Sequence, residues 1–214
     1  MAPSEIFTAA LAQCPLVAII RGVTPDAVMA VGDALFEAGL RIIEVPLNSP
    51  DPLRSIERLA AHLGERAVVG AGTVLEPDQV TRVRQAGGRL IVSPCTDPAV
   101  IEATVAAGMI SVPGYFTPSE AFVALKAGAH ALKLFPAEAA SPAVVKAQRA
   151  VLPPDVPLLV VGGVTPAAMP AYLDAGASGF GLGGALYRPG QSPAQVGAQA
   201  RAFVEALGGA AVHG

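Results

Sequence analysis

One dipeptide pattern recurs along the chain and constrains its fold more than any other feature. At eight places a polar residue that suits a helix N-cap stands directly before a proline. Ser, Thr and Asp accept hydrogen bonds from the free amides of a first helical turn, and proline suits the first helical position. The dipeptides are Thr24-Pro25, Ser49-Pro50, Glu76-Pro77, Asp97-Pro98, Thr117-Pro118, Ser141-Pro142, Thr165-Pro166 and Ser192-Pro193, with Glu76 the weakest cap. Their prolines are 20 to 27 residues apart. This spacing is typical of one strand plus one helix.

Short apolar runs alternate with these predicted helices. Several Ala-rich helical segments end at an Ala-Gly pair, as a left-handed helix C-terminus requires. The runs between the helices are apolar on both parities, which is typical of strands buried on both faces. They cover residues 16–20, 41–45, 67–71, 89–92, 109–112, 131–135, 158–161 and 178–182.

Eight strands that alternate with eight helices predict a (βα)8 TIM barrel. We expect a single domain over residues 1–214, with a short N-terminal extension and a frayed C-terminal tail. A doubly wound open sheet is the structural alternative. The near-uniform spacing and the lack of a long central crossover favour the closed barrel.

Composition excludes several classes of partner. Only 14% of the 214 residues are charged, the formal net charge is -3, and no basic cluster suits a nucleic acid. No apolar run is long enough to predict a membrane span, and the first residues lack a signal-peptide pattern, so we expect a cytoplasmic protein. Cys14, Cys95 and the three histidines lack metal-ligand spacing. We therefore predict no metal site.

Lys133 is the most unusual residue of the predicted barrel. The chain has three lysines, and Lys126 and Lys146 fall in predicted solvated helices, whereas Lys133 lies inside an apolar strand. An amine nucleophile needs its pKa lowered from about 10.4 to about 7, and an apolar environment lowers it. Active sites of these barrels lie at the carboxyl ends of the strands. We therefore expect Lys133 to be a Schiff-base lysine.

Glu44 is the predicted partner of Lys133. It shares a strand face with Ile42 and Pro46, and Lys133 shares one with Ala131 and Phe135. If both faces point inward, the carboxylate and the amine meet near the barrel mouth. A buried ion pair with a structural role is the alternative, although such pairs stabilise weakly relative to apolar side chains. As a catalytic group, Glu44 would be the general base.

Two glycine pairs predict a phosphate site. Gly162-Gly163 follows the seventh predicted strand and Gly183-Gly184 the eighth, each with free amides expected just before a helix N-terminus. Loops at these two strand ends commonly bind phosphate in this fold. A tight turn explains most isolated Gly-Gly pairs, but two pairs at the two relevant positions favour a phosphorylated small molecule as the ligand.

Arg21 and Thr73 follow the first and third predicted strands. The planar donor fork of Arg21 suits a carboxylate, although an arginine at a strand end is often only a surface residue. Thr73 offers a hydroxyl at the mouth, or is simply a turn residue. Asn48-Ser49 could contact substrate hydroxyls or cap the second helix.

Together these residues resemble the short class I aldolases that split 2-keto-3-deoxy-6-phosphosugar acids. The resemblance covers residues 16–207, and its motifs are specific only jointly. They are Ile19-Ile20-Arg21-Gly22, Ile43-Glu44-Val45-Pro46-Leu47-Asn48-Ser49-Pro50, Gly70-Ala71-Gly72-Thr73-Val74, Leu132-Lys133-Leu134-Phe135-Pro136 and Val161-Gly162-Gly163-Val164.

The resemblance implies roles for these residues. Lys133 would form the imine and Glu44 would accept protons, while Arg21 and Thr73 bind substrate and Phe135 lines the site. Amides around Gly163 and Gly183-Gly184 would hold the phosphate. The implied products are pyruvate and glyceraldehyde 3-phosphate, without a metal or organic cofactor, and the implied assembly is a homotrimer.

The resemblance also points to one branch of the family. Leu47-Asn48-Ser49-Pro50 is similar to the galactonate branch, whereas the gluconate branch usually has Leu-Arg-Thr after the second strand. A gluconate-type enzyme, or one that accepts both C4 epimers, is the runner-up. A non-catalytic phosphosugar-binding barrel is a more remote alternative. Gly184 departs from relatives that often have serine beside the phosphate.

Overall fold

A sheet of parallel strands, ringed by helices, organises the molecule. The computed structural model describes residues 2–210, and within them it contains nine strand segments and nine α-helices. The order of the strands in the sheet is β5-β4-β3-β2-β1-β9-β8-β7-β6. The two strands at the ends of this order, β5 and β6, are separated along the chain by Pro113 alone. The sheet is therefore a nearly closed barrel, and the predicted TIM-like architecture is confirmed in this form.

The elements alternate along the chain after one N-terminal helix. The strands are β1 (Leu16–Ile19), β2 (Ile42–Pro46), β3 (Val68–Gly72), β4 (Leu90–Val92), β5 (Ile110–Val112), β6 (Gly114–Tyr115), β7 (Leu132–Leu134), β8 (Leu158–Val161) and β9 (Gly179–Leu182). The helices are α1 (Pro3–Gln13), α2 (Val28–Glu37), α3 (Pro52–Leu63), α4 (Pro77–Gln85), α5 (Pro98–Ala106), α6 (Pro118–Lys126), α7 (Pro142–Arg149), α8 (Met169–Asp174) and α9 (Pro193–Ala210).

The predicted count of eight strands is not confirmed, because a short extra segment, β6, follows the fifth predicted strand. Proline has no amide hydrogen to donate to a ladder, and Pro113 interrupts the run between β5 and β6. Its carbonyl nevertheless accepts a 2.9 Å hydrogen bond from the amide of Lys133. The interruption therefore leaves β7 attached to the rest of the sheet.

Most predicted helix starts lie where the cap-proline dipeptides place them. Helices α4, α5, α6, α7 and α9 each begin at the proline of their dipeptide. Asp97 accepts a 2.8 Å hydrogen bond from the amide of Ala99, as a helix N-cap should. The segment after Thr165 begins as a 3₁₀ turn, Pro166–Ala168, and continues into α8.

Two predicted starts are displaced. Thr24-Pro25 opens a hydrogen-bonded turn, and α2 begins three residues later at Val28. Helix α3 begins at Pro52 instead of Pro50. The hydroxyl of Ser49 does not cap α3, because it accepts a 2.9 Å hydrogen bond from the amide of Gly22 across the barrel mouth.

Two apolar layers hold the barrel together. The larger layer lies between the strands and the surrounding helices and includes Ile43 and Leu132. The smaller one fills the barrel interior with side chains such as Val17, Ile42 and Leu159. Helix α1 closes the lower end of the interior, with Phe7 only 1% exposed. The sequence predicted α1 only as a short N-terminal extension.

None of the helices in residues 2–210 combines the length and the apolar composition that a membrane crossing needs. The last four residues of the predicted C-terminal tail, 211–214, lie outside the described residues.

Candidate active site

Strand register brings the predicted lysine and glutamate to the same interior. Glu44 lies in β2 beside Ile19 of β1 and Gly70 of β3, and Lys133 lies in β7 beside Leu159 of β8. Their strand neighbours on the same parity, Ile42 and Ala131, belong to the apolar layer inside the barrel. Both side chains therefore point inward, as the alternation of strand side chains predicts.

One cleft of about 520 Å³ opens at the carboxyl ends of the strands. All nine residues that the sequence marks as site residues line it. They are Arg21, Glu44, Thr73, Lys133, Phe135, Gly162, Gly163, Gly183 and Gly184. A smaller apolar cavity lies below the cleft, lined by Phe7 of α1 and reaching Glu44 and Lys133. The two charged groups thus lie between an open cleft and an apolar interior.

Burial changes the proton affinity of Lys133. The side chain is 7% exposed, and removal from water lowers its pKa from the ordinary value. The carboxylate of Glu44 raises the pKa and so works against burial, while Arg21 adds to the lowering. The Nζ of Lys133 lies 4.8 Å from the centroid of the Phe135 ring. Burial therefore raises the fraction of neutral amine, the form that attacks a carbonyl.

The pKa of Glu44 is shifted in the opposite direction, upward from its ordinary value. The residue is 2% exposed, and burial raises the pKa of its carboxyl group to about 7, against the lowering influence of Lys133 and Arg21. Its Oε2 is buried without a hydrogen-bond partner, and the carboxylate forms no ion pair with Lys133. An unpaired buried oxygen costs about 1–3 kcal/mol. The structure therefore does not show the buried Glu44–Lys133 ion pair that was the structural alternative.

Gly72 makes room for the Glu44 side chain. It ends β3 next to Pro46 of β2, and a Cβ atom at this position would overlap the Glu44 carboxylate. The sequence analysis quoted Gly72 only as part of a motif. The signal that marks it is its place directly beside β2, the strand that holds Glu44, where glycine permits a close approach.

Arg21 is fixed at the mouth by two neighbours. One guanidinium nitrogen donates to the Asn48 Oδ1, and two lie 3.5 Å from the Thr73 hydroxyl. Thr73 has φ 57°, in the left-handed region that a β-branched residue rarely adopts. Such strain is typical of functional sites. Asn48 does not cap α3, which begins at Pro52, and its side chain instead positions Arg21. Its contact with substrate hydroxyls stays a prediction.

The glycine pairs present free backbone donors at the far end of the cleft. Within residues 2–210 no acceptor is found for the amides of Gly162, Gly163, Gly183 or Gly184. Gly162 and Gly163 have φ of 113° and 61°, which only glycine adopts readily. The expected helix N-terminus after Gly184 is wrong. The chain first makes a turn in which Leu186 and Tyr187 donate to the Gly183 carbonyl, and α9 begins only at Pro193.

Two charged residues at this far end were not predicted from the sequence. Arg188 lies in the loop after β9 and donates a 3.0 Å hydrogen bond to the Gly184 carbonyl. Glu138 lies in the 3₁₀ turn Ala137–Ala139 after β7. Both follow strand ends. Polar residues just after a strand end indicated Arg21 and Thr73, whereas Arg188 and Glu138 lie further along their loops.

Metal-ligating side chains do not cluster in the described part of the chain. No group of three or more His, Cys, Asp or Glu residues there has the arrangement that could hold a metal ion. The groups of the cleft that are able to act chemically include an amine, two carboxylates, two guanidinium groups, the hydroxyls of Thr73 and Tyr187, and backbone amides.

Comparison with known sequences identifies relatives along most of the chain. The sequence model of a family described as KDPG and KHG aldolase matches residues 7–193. A 2-dehydro-3-deoxy-6-phosphogalactonate aldolase of Escherichia coli K12 is 48% identical over 194 residues, which cover 91% of this chain and 95% of that protein. A probable enzyme of the same name from Rhizobium meliloti is also 48% identical, covering 85% and 86%. The KHG/KDPG aldolase of E. coli K12 is 33% identical, covering 74% of each.

Two solved structures are similar to this chain in both sequence and fold. The structure described as native KDPGal is 46% identical and superposes with a TM-score of 0.92, covering 94% of this chain and 97% of that one. A designed cube-shaped cage built by fusing symmetric oligomeric domains contains a chain 47% identical, with a TM-score of 0.91. The alignment covers 92% of this chain and 73% of the cage chain.

Proposed function

The chain belongs to the KDPG and KHG aldolase family, and we propose that it is a class I aldolase that uses Lys133 as its Schiff-base lysine. The observation that carries the assignment of roles is the pair of opposite pKa shifts at Lys133 and Glu44. Burial lowers the pKa of the amine and raises that of the carboxyl group in one cleft, without a direct ion pair between them. A carboxyl group with a pKa of about 7 can exchange protons with a substrate near neutral pH.

The substrate of this proposal is 2-dehydro-3-deoxy-6-phosphogalactonate, which is cleaved reversibly to pyruvate and glyceraldehyde 3-phosphate. Identity to the galactonate-type relatives, at 48%, exceeds the 33% to the KHG/KDPG aldolase. Asn48, in the segment whose sequence resembles the galactonate branch, holds Arg21 at the mouth. The segment that distinguishes the branches therefore lies within reach of the substrate.

Imine formation begins with neutral Lys133. The amine attacks the C2 ketone of the substrate and forms a carbinolamine, and loss of water gives a protonated imine. The positive nitrogen then accepts electrons from the bond that breaks next. Lowering of the Lys133 pKa by burial raises the fraction of neutral amine available for the first step.

Carbon–carbon cleavage uses Glu44. Its carboxylate takes the proton of the C4 hydroxyl, the C3–C4 bond breaks, and the bonding electrons move into the imine to form an enamine. Glyceraldehyde 3-phosphate leaves. The protonated Glu44 returns a proton to C3, and hydrolysis of the imine releases pyruvate and free Lys133. A carboxyl pKa of about 7 suits both directions of this transfer.

The remaining residues bind the two ends of the substrate. Arg21 and Thr73 contact the sugar-acid part near the lysine, and Phe135 lines the cleft beside Lys133. The free amides around Gly162-Gly163 and Gly183-Gly184 hold the phosphate. Support for this end comes from unpaired donors, which bind an oxyanion without the loss of an existing hydrogen bond.

The proposal extends to the whole chain and its assembly. We infer that β5 and β6 together act as the fifth strand of a single (βα)8 domain, because only Pro113 separates them.

The assembly is a homotrimer that uses the α5–α6 side of the barrel. There Val105, Phe116, Phe122 and Val123 are 36% to 43% exposed, an unusual apolar surface. Sedimentation should give three times the 21.5 kDa chain mass, and Phe122→Asp should lower it.

Turnover of the two C4 epimers tests the substrate assignment. The purified protein is given the 6-phosphogalactonate and 6-phosphogluconate forms of the keto acid, and release of pyruvate is measured. We expect a higher kcat/KM for the galactonate form. Preference for the gluconate form would overturn the branch, and failure to cleave either epimer would overturn the proposed function.

A further inference from the structure

An acidic side chain lies against the backbone donors at the far end of the cleft. A Cβ atom built on Gly163 would be 2.6 Å from the Cγ and 3.3 Å from the Oε1 of Glu138. A Cβ atom on Gly162 would overlap the Glu138 Oε2. The Glu138 carboxylate therefore packs directly on the two glycines whose amides are free to bind an anion.

This carboxylate has no partner that removes its charge. It forms no salt bridge and no hydrogen bond with any residue of the range 2–210, including the amides of Gly162 and Gly163. It is exposed to solvent at the cleft. The Glu138 side chain therefore places an acidic group beside the position proposed for the phosphate.

The same end of the cleft has one side-chain cation, Arg188, whose Nε is hydrogen-bonded to the Gly184 carbonyl. One negative and one positive side chain leave this end with no net side-chain charge. Glu138 therefore offsets the attraction that Arg188 would exert on a phosphate, and the backbone amides supply the remaining attraction. A phosphate that carries about two negative charges would be repelled by Glu138 while the amides attract it.

We propose that Glu138 is a specificity-determining residue that weakens the preference of the cleft for a phosphorylated substrate. This inference rests on the proposed function, and it goes beyond it by assigning a role to a carboxylate that opposes the phosphate. Because Glu138 is exposed and solvent screens its charge, the effect is moderate and depends on ionic strength. It acts on substrate binding at the phosphate end, and the chemistry at Lys133 is unaffected.

The test compares wild type with Glu138→Gln, which keeps the shape of the side chain and removes its charge. KM and kcat are measured for the phosphorylated substrate and for the corresponding 2-keto-3-deoxy acid without phosphate, at low and high salt. We expect Glu138→Gln to lower KM for the phosphorylated substrate about three- to tenfold at low salt, as a screened charge pair would. The kcat should stay within about twofold, and the gain should shrink at high salt. KM for the substrate without phosphate should not change.

Glu65→Gln is the matched control, because Glu65 is an exposed glutamate in the 3₁₀ turn Gly64–Arg66 after α3, away from the cleft and from the proposed trimer surface. It should leave both KM values at the wild-type level. An unchanged or raised KM for the phosphorylated substrate in Glu138→Gln would overturn the proposal. An equal fall for both substrates would also overturn it, since charge repulsion would not be the cause. Loss of cleavage in the wild type would count against the proposed function itself, independently of Glu138.

Discussion

The two ends of the barrel interior are built on opposite principles. At the lower end, α1 inserts Phe7, Ala10 and Leu11 against apolar strand side chains, beside one small apolar cavity. At the upper end, the strands finish in glycines and polar residues around an open cleft of about 520 Å³. Lys133 and Glu44 lie at the boundary between these two regions.

The contrast shows how the molecule divides stability from chemistry. The apolar lower end removes water from one side of Lys133 and Glu44, and this burial is the largest cause of both pKa shifts. The upper end leaves the other side open to a ligand. Changes below the boundary should therefore affect folding most, and changes above it should affect catalysis most.

The largest expected effect on stability comes from the lower end. Replacing Phe7 by alanine removes a side chain that is 1% exposed, and truncation of a buried phenylalanine costs about 3–5 kcal/mol of the free energy of unfolding. Urea denaturation of wild type, Phe7→Leu and Phe7→Ala measures it, with the leucine variant intermediate. A loss below about 1 kcal/mol for Phe7→Ala would show that α1 does not close the barrel as described.

Substitution of Glu44 tests whether changes at the upper end of the interior affect catalysis most. Glu44→Gln removes the proposed base, and kcat for cleavage should fall about 10²- to 10³-fold, the usual contribution of a general base. Imine formation with pyruvate should persist, because Lys133 remains. Cleavage at the wild-type rate in steady-state assays would remove Glu44 from the role of base.

The same variant tests the pH dependence of stability. The Glu44 pKa is raised from 4.5 to about 7 in the folded protein, so the folded state binds this proton more tightly than the unfolded chain. Its stabilising contribution is fully present below pH 4.5 and is lost as pH rises through about 7. Relative to Glu44→Gln, wild type should lose about 1–3 kcal/mol of stability between pH 4.5 and 8. A pH-independent difference between the two proteins would contradict the shift.

The smallest effect is expected where the two regions meet. Gly72→Ala would push a methyl group into the Glu44 carboxylate, and overpacking of a buried site costs about 1–3 kcal/mol. Gly208→Ala, on α9 with open space around it, is the control and should not lower stability. Thermal denaturation measures both variants, and equal melting temperatures would show that the Glu44 side chain has another place to go.

Much of this arrangement could be predicted from the sequence, because local rules decide it. Cap-proline dipeptides marked most helix starts, and strand parity placed Glu44 and Lys133 on the inner face. Ser49 shows the limit of such rules. Its local signal is a helix cap, but a longer-range contact with the Gly22 amide takes its hydroxyl instead.

The features that escaped prediction all depend on contacts between distant segments. Nothing near Phe7 in the sequence indicates that α1 enters the barrel. The need for glycine at position 72 follows only from its contact with Glu44 on the neighbouring strand. The role proposed for Glu138 follows only from its contact with the glycines after β8. The left-handed conformation of Thr73 likewise cannot be predicted from residue type, since threonine disfavours it.

Reductive trapping tests the central claim most directly. Wild-type protein is incubated with pyruvate and sodium borohydride, and the modified peptide is identified by mass spectrometry. We predict one covalent adduct, located on Lys133, and no adduct in a folded Lys133→Ala variant. An adduct on Lys126 or Lys146, or none in the wild type, would contradict the assignment of Lys133 as the Schiff-base lysine.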